Sequence, residues 1–228
     1  PIESIVYPPG IEFFWWKGVF IMIARGNLES EVYSAILEKV VSGEYPMGQR
    51  IDINELQEAL GVSATPILSA LRRLVHDGLV TTTPRSKGYH VATFTEAEFE
   101  ETKVAVNIMM LVAFEKICLM DDVQSTAEHL EKYAHKTLEA RNAGDFKAYI
   151  SADFKFHDEV IRCLDNHLLL NMHQNLNHQL SCMMRQFHPE ITNINRVDID
   201  LHFIFCECLR NRDHEKIYLV LMDRSTST

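Results

Sequence analysis

Residues 52–80 read DINELQEALGVSATPILSALRRLVHDGLV, and the fold turns on them. Leu56, Ala59 and Leu60 supply one apolar helix face, Asn54 with Gln57 three residues on is a candidate N-cap, and Gly61 is a stop. After a three-residue gap, Thr65-Pro66 has the form of an N-cap followed by a first-turn proline. Ile67, Ala70, Leu71, Leu74 and Val75 then recur at i, i+3, i+4, i+7 and i+8, the spacing of a helix buried along one face. Working outward, Val32, Ile36, Leu37, Val40 and Val41 predict a helix upstream, closed by Gly43. Downstream, Leu79-Val-Thr-Thr-Thr83 and Tyr89-His-Val91 are β-prone and flank the turn sequence Pro84-Arg-Ser-Lys-Gly88. Helix, helix, tight turn, helix and hairpin over 28–93 is a winged helix-turn-helix.

Such a motif lays its second helix in the major groove and its hairpin against the backbone or minor groove. The non-buried candidates on that helix are Ser63, Thr65, Ser69, Arg72 and Arg73, with Arg85, Ser86, Lys87 and Gly88 at the wing. The charge distribution agrees with this placement. The 228-residue chain has 22 Lys+Arg against 32 Asp+Glu, for a net charge of −10. Yet Arg72, Arg73, Arg85 and Lys87 face only Asp77 in that stretch, a local excess of positive charge inside an acidic protein.

The other regions bound the class. Five Cys with no C-x-x-C pair argue against a disulfide scaffold or zinc ribbon and for a reducing, cytoplasmic setting. No P-loop, dinucleotide fingerprint, nucleophile elbow or H-E-x-x-H run occurs. Residues 1–27 form a separate apolar and aromatic extension. Its core, IEFFWWKGVFIMIA over 11–24, is short for a span of about 20 residues and carries Glu12 and Lys17. It is read as a segment packing on its own protein or a partner subunit, not as a membrane span. From Thr95, which with Glu98 makes a capping box, helices are predicted at about 95–120, 124–143, 146–164, 167–187, 197–211 and 213–224. The chain is therefore mainly α, an N-terminal winged helix-turn-helix followed over 94–228 by a bundle of about six helices.

The stretch 52–80 resembles the GntR family of bacterial transcription regulators, whose pattern is roughly L-x-x-x-L-G-V-S-R-T-P-V-R-E-A-L-x-x-L-x-x-x-G-L-V. Leu56, Leu60-Gly-Val-Ser63, Thr65-Pro66, Ala70-Leu71, Leu74 and Gly78-Leu-Val80 all match. Ala64 stands where the family has Arg, and Leu68-Ser69 where it has Arg-Glu. Two arginines that commonly touch phosphate or bases in relatives are thus absent. Residues 94–228 resemble the ligand-sensing FCD domain, on Asp153-Phe-Lys-Phe-His157 with Asn166, and Leu201-His202-Phe-Ile with Arg212-Asp213. The resemblance implies a divalent metal such as Zn or Ni on Asp153, His157 and His202. One face of a helix can carry the first two, since i and i+4 lie together. The family's fourth ligand, a His, falls on Arg224, which cannot ligate a metal. Three outcomes stay open: a three-ligand site completed by water or effector, an Arg224–Asp153 pair without metal, or ordinary polar residues of the bundle.

Lys103 and Asn107 replace an Arg and Glu that begin the family's bundle, and Arg185 could clamp an acidic effector; Lys103, Arg185 and Arg224 are the effector-binding candidates. His129, His135, His167, His173, His178, His188 and His214 lack ligand spacing and read as solvated or core residues; Cys206 and Cys208 read as packing. The function implied is a homodimeric, cytoplasmic regulator that binds double-stranded DNA and senses a small metabolite, a carboxylate by expectation. The competing classes are a sensor or interaction protein that has lost specific DNA binding, and a metal-dependent hydrolase using a metal-bound water.

Overall fold

The computed structural model describes residues 11–16, 19–82, 88–187 and 200–223, with side chains for 28–82, 88–145, 147–187 and 201–222. The chain divides into two compact units, Pro1–Ala92 and Thr93–Thr228.

The first unit opens with a hairpin that the sequence reading did not anticipate. Strand β1 (Ile11–Trp16) pairs antiparallel with β2 (Val19–Ala24), in a register running from Ile11 opposite Ala24 to Trp16 opposite Val19. Aromatic and β-branched residues dominate both strands, which is why this run extends. It lacks polar alternation, so it carries no period-2 signal in the sequence.

Helix α1 (Arg25–Val41) follows, then β3 (Arg50–Ile51), α2 (Ile53–Leu60), α3 (Ala64–His76), β4 (Val80–Thr81) and β5 (Tyr89–Val91). The three short strands form one antiparallel sheet in the order β3-β5-β4. Ile36 of α1, Leu56 of α2 and Ile67, Leu71 and Leu74 of α3 are fully buried, so the predicted apolar faces converge on one core. The caps differ from expectation. Asp52, not Asn54, caps α2, its carboxylate accepting from the backbone N–H of Asn54 (2.8 Å) and Glu55 (3.4 Å). A carboxylate two residues earlier reaches two orphan donors at once. Gly61 then closes α2 in the left-handed region (φ 66°), its N–H donating to the Gln57 carbonyl. For α3 the cap is Ser63, which places Thr65 and Pro66 inside the first turn. Pro66 does no harm there, because first-turn N–H groups have no helical partner.

The second unit holds α4 (Glu96–Cys118), α5 (Val123–Ala143), α6 (Phe146–Arg162), α7 (His167–Phe187), α8 (Asp200–Asn211) and α9 (His214–Asp223). The Thr95–Glu98 capping box forms in both directions. Asp122 and Asp145 cap α5 and α6, and Gly144 ends α5 in the left-handed region at φ 70°. Helix α6 packs on α5 and α7, and α8 packs on α5. The core is aromatic at its centre, with Phe114 and Phe156 meeting Phe205 edge-on at centroid distances of 5.6 and 6.0 Å. All five cysteines are free thiols, and burial pushes Cys206 up to about 12, consistent with packing. Among the described residues, no helix is long and apolar enough to cross a membrane.

Candidate functional site

Two sites emerge, one in each unit. In the first, α3 presents Ser63, Thr65 and Arg72 as exposed residues and Ser69 as half-buried, opposite the face formed by Ile67, Ala70, Leu71 and Leu74. That is the arrangement a recognition helix needs. Arg73 is exposed but engaged: its guanidinium carbon lies 3.8 Å from the centre of the Tyr33 ring. The Tyr33 hydroxyl in turn donates to Asp77 Oδ2 at 2.7 Å. Stacking of this kind holds Arg73 against its own domain, so Arg72 is the better placed of the two for DNA. Gly88 has φ 123°, and a Cβ there would lie 3.4 Å from Arg50 Nε. Arg50, exposed on β3 beside the wing, is a basic residue that sequence reasoning missed because β3 joins the wing only through strand pairing. Arg85, Ser86 and Lys87 lie outside the described residues.

In the bundle, Asp153 and His157 project from successive turns of α6, and His202 meets them from α8. One ligand atom from each lies within 4.8 Å of the others. His202 Nε2 is 3.2 Å from Asp153 Oδ1, and His157 Nδ1 is 3.9 Å from Asp153 Oδ2. The Phe156 ring lies against His202 at 4.1 Å between centroids, limiting its rotation.

The contacts around His202 assign a donor role to its Nδ1. Thr137 Oγ1, fully buried on α5, donates to the Ala134 carbonyl at 2.7 Å. Its proton is thus committed, and it can only accept from His202 Nδ1, 3.4 Å away. The Nε2 lone pair then faces the Asp153 carboxylate across 3.2 Å. Two acceptors so close repel unless a proton or cation lies between them. A separation of 3.2 Å is also what two ligands at about 2.1 Å from one ion show at a ligand–metal–ligand angle of about 100°.

The charge states agree. Burial pushes the His157 imidazole down to about 4, against the pull of Asp153, so it is neutral at pH 7. Burial pushes Asp153 up, but His157 and His202 together outweigh that and hold it below the usual carboxylate value. A neutral His157 beside an ionised Asp153 is the pairing of protonation states a metal requires. One oxygen and two nitrogen donors suit zinc, nickel or a similar divalent ion better than calcium or magnesium.

Matches to known proteins fit both units. Residues 28–91 match the family model described as bacterial regulatory proteins, gntR family, and residues 117–224 match the FCD domain. The chain belongs to the GntR family, in its FCD branch. It is a transcription regulator with a winged-helix DNA-binding domain, not an enzyme, so the hydrolase alternative falls away. It is 27% identical over 143 residues to an HTH-type transcriptional regulator from the TAR-I ttuE–ttuC′ intergenic region of Agrobacterium vitis, covering 62% of this chain and 83% of that one. It is 27% identical over 149 residues to the HTH-type regulator YdhC of Bacillus subtilis, covering 64% of this chain and 65% of YdhC. Among solved structures, E. coli McbR/YncC superposes with a TM-score of 0.72 at 20% identity, over 87% of this chain and 95% of that one, a likeness of fold.

The remaining sequence candidates separate. Lys103 pairs with Glu100 at 2.6 Å and lies over the Phe99 ring, a contact within one end of α4. Asn107 donates to the Leu221 carbonyl at 2.7 Å, tying α4 to α9. Arg185 is half-buried three turns beyond the level of His173 on α7, and burial pushes its guanidinium down. Arg224, and with it the pairing to Asp153, lies outside the described residues.

His173, read from sequence as an ordinary core or solvated residue, has a fully buried ring with Nδ1 3.2 Å from Asp158 Oδ1. Gln174 Nε2 donates to the other carboxylate oxygen at 2.7 Å. No spacing rule could find this pair, since Asp158 and His173 are on different helices.

Proposed function

We propose that this regulator senses a small carboxylate through a divalent metal in its helical domain, and that occupancy changes how its dimer binds an operator in the cytoplasm. The convergence of Asp153, His157 and His202, with the His202 lone pair aimed at a carboxylate, carries this reading. Three protein donors leave coordination positions open on a divalent ion, and a carboxylate effector is a ligand such positions accept. Ser63, Thr65, Ser69 and Arg72 on α3 read the groove, while Arg50, Arg85, Ser86, Lys87 and Gly88 approach the backbone. Two such domains in a homodimer contact two half-sites. Exposed Ile108 and Val112, one turn apart on α4, offer an apolar strip for that dimer.

The absence of arginine at Ala64 and Leu68, with Arg73 stacked on Tyr33, favours weaker DNA binding than the family pattern implies and keeps a sensor without an operator as the second reading. Metal content of protein purified without chelator, measured beside DNA binding to its own upstream region, tests both. About one equivalent of metal with salt-dependent binding supports the proposal. Less than a tenth of an equivalent, unchanged in His157→Ala, removes the metal; no binding at low salt removes the operator.

A further inference from the structure

The buried face of α7 carries polar groups that the three-residue centre does not use. His173, Asn177 and Ser181 recur every four residues and are all buried, so they form one inward stripe on that helix. Two atoms of the stripe, His173 Nε2 and Ser181 Oγ, are buried with no hydrogen-bond partner among the described residues. Orphaned polar atoms of this kind are costly and call for an explanation. The first belongs to a ring beside the centre: His173 stands 6.2 Å from His157 between ring centroids, edge to face. His173 is not a member of the group formed by Asp153, His157 and His202, so it does not ligate the same ion. What it can reach is a molecule held by that ion.

The hydrogen-bond roles say what that molecule must offer. His173 Nδ1 lies 3.2 Å from Asp158 Oδ1, and the other Asp158 oxygen accepts from Gln174. A carboxylate can only accept, which assigns the ring proton to Nδ1 ahead of the longer, 3.4 Å approach of the Asn177 amide. Nε2 then presents a lone pair and needs a donor. The oxygens of a bound carboxylate cannot supply one, nor can a ketone or a hydrocarbon chain; a hydroxyl can. That hydroxyl must lie close to the carboxylate, because His173 borders the residues that would hold the ion. Asn177 and Ser181 continue the polar lining, each about 6 Å further along α7, which suits a hydroxylated acid better than one with a hydrocarbon tail.

We infer that His173 is a specificity-determining residue of the effector site, its Nε2 accepting a hydrogen bond from the hydroxyl of a 2-hydroxy carboxylate. The inference rests on the proposed metal-held carboxylate, and the experiment separates the two. Isothermal titration calorimetry on the zinc-loaded full-length protein compares lactate, propionate and pyruvate, which share three carbons and one carboxylate. Lactate should bind about tenfold or more tighter than either of the others, since a buried acceptor rejects an analogue without the donor. Equal affinities overturn the assignment of His173 and leave carboxylate sensing intact. A chain that takes up no zinc, or that binds none of the three acids when zinc-loaded, overturns the underlying reading and the inference with it. His173→Phe keeps an aromatic ring without the acceptor; it should lower lactate affinity to that of propionate and leave zinc affinity at the parental value. Asp158→Asn can donate to Nδ1 and so move the ring proton to Nε2, which should erase the preference for lactate over pyruvate. A lactate preference that persists in either folded variant would refute the inference.

Discussion

Thr137→Val probes the centre without touching a proposed ligand. Valine nearly reproduces the shape of threonine but has no hydroxyl, so the fully buried site loses the acceptor for His202 Nδ1–H and a donor to the Ala134 carbonyl. An N–H stranded in this way costs about 1–3 kcal/mol. Without metal the imidazole has an escape: its proton moves to Nε2 and is donated to Asp153 Oδ1, 3.2 Å away. The metal-free protein therefore loses only about 1 kcal/mol, a fall of a few degrees in Tm. With metal the escape closes, because Nε2 must give its lone pair to the ion and the proton must return to an unpaired Nδ1. That difference of about 1.4 to 2.7 kcal/mol corresponds to a 10- to 100-fold weaker Kd. Competition with a chromophoric chelator measures zinc affinity, with thermal melts of the metal-free protein run in parallel. Thr137→Ser, which keeps the hydroxyl, should bind nearly as the parent does. Parental zinc affinity in a folded Thr137→Val protein would refute the tautomer argument.

Four bases per subunit, with about 0.9 counterion released per phosphate contact, give a log–log salt slope near −7 for a dimer, and Arg85→Ala with Lys87→Ala should halve it; an unchanged slope would place the wing away from the backbone. Leu71→Ala empties a fully buried position of the winged helix, costs about 3 kcal/mol, and should weaken DNA binding while leaving zinc affinity of the bundle unchanged. The depressed His157 pKa (about 4) has a defined sign: the unfolded chain binds a proton near 6.5 and the folded one does not, so this stability is present above pH 6.5 and is lost as pH falls towards 4. Up to about 3 kcal/mol is at stake, and urea denaturation of metal-free protein across that range, compared with His157→Gln, should show the slope flattened in the variant. Ile108→Asp with Val112→Asp should shift the protein towards monomer in analytical ultracentrifugation, and an unshifted distribution would place the dimer contact elsewhere.

The sequence revealed most where chemistry is local. Helical periodicity located α2 and α3 because Leu56, Leu71 and Leu74 all face one core. The Thr95–Glu98 capping box was legible because both halves lie within four residues. Asp153 and His157 could be paired for the same reason, one helical turn being a local relation. Cap assignment failed at Asp52 and Ser63, where several polar residues in a row can each serve and only backbone geometry chooses. The β1–β2 hairpin was missed because consecutive apolar residues carry no alternation. Thr137, Asp158 and His173 were beyond reach because their roles arise from packing α5, α6 and α7 around one point. Arg50 was hidden likewise, being brought to the wing by strand pairing.

The central claim is that a carboxylate bound in the helical domain alters DNA binding through a metal. Fluorescence anisotropy of the full chain on its own upstream DNA tests it, titrated without metal, with zinc, and with zinc plus a panel of small carboxylates. The account predicts that one carboxylate, only with zinc present, shifts the DNA Kd by about 5- to 150-fold, the usual span of a coupling free energy between two sites. It also predicts that His157→Ala abolishes the shift while leaving zinc-free DNA binding intact. A DNA Kd that is the same under every condition in a zinc-loaded protein would contradict it.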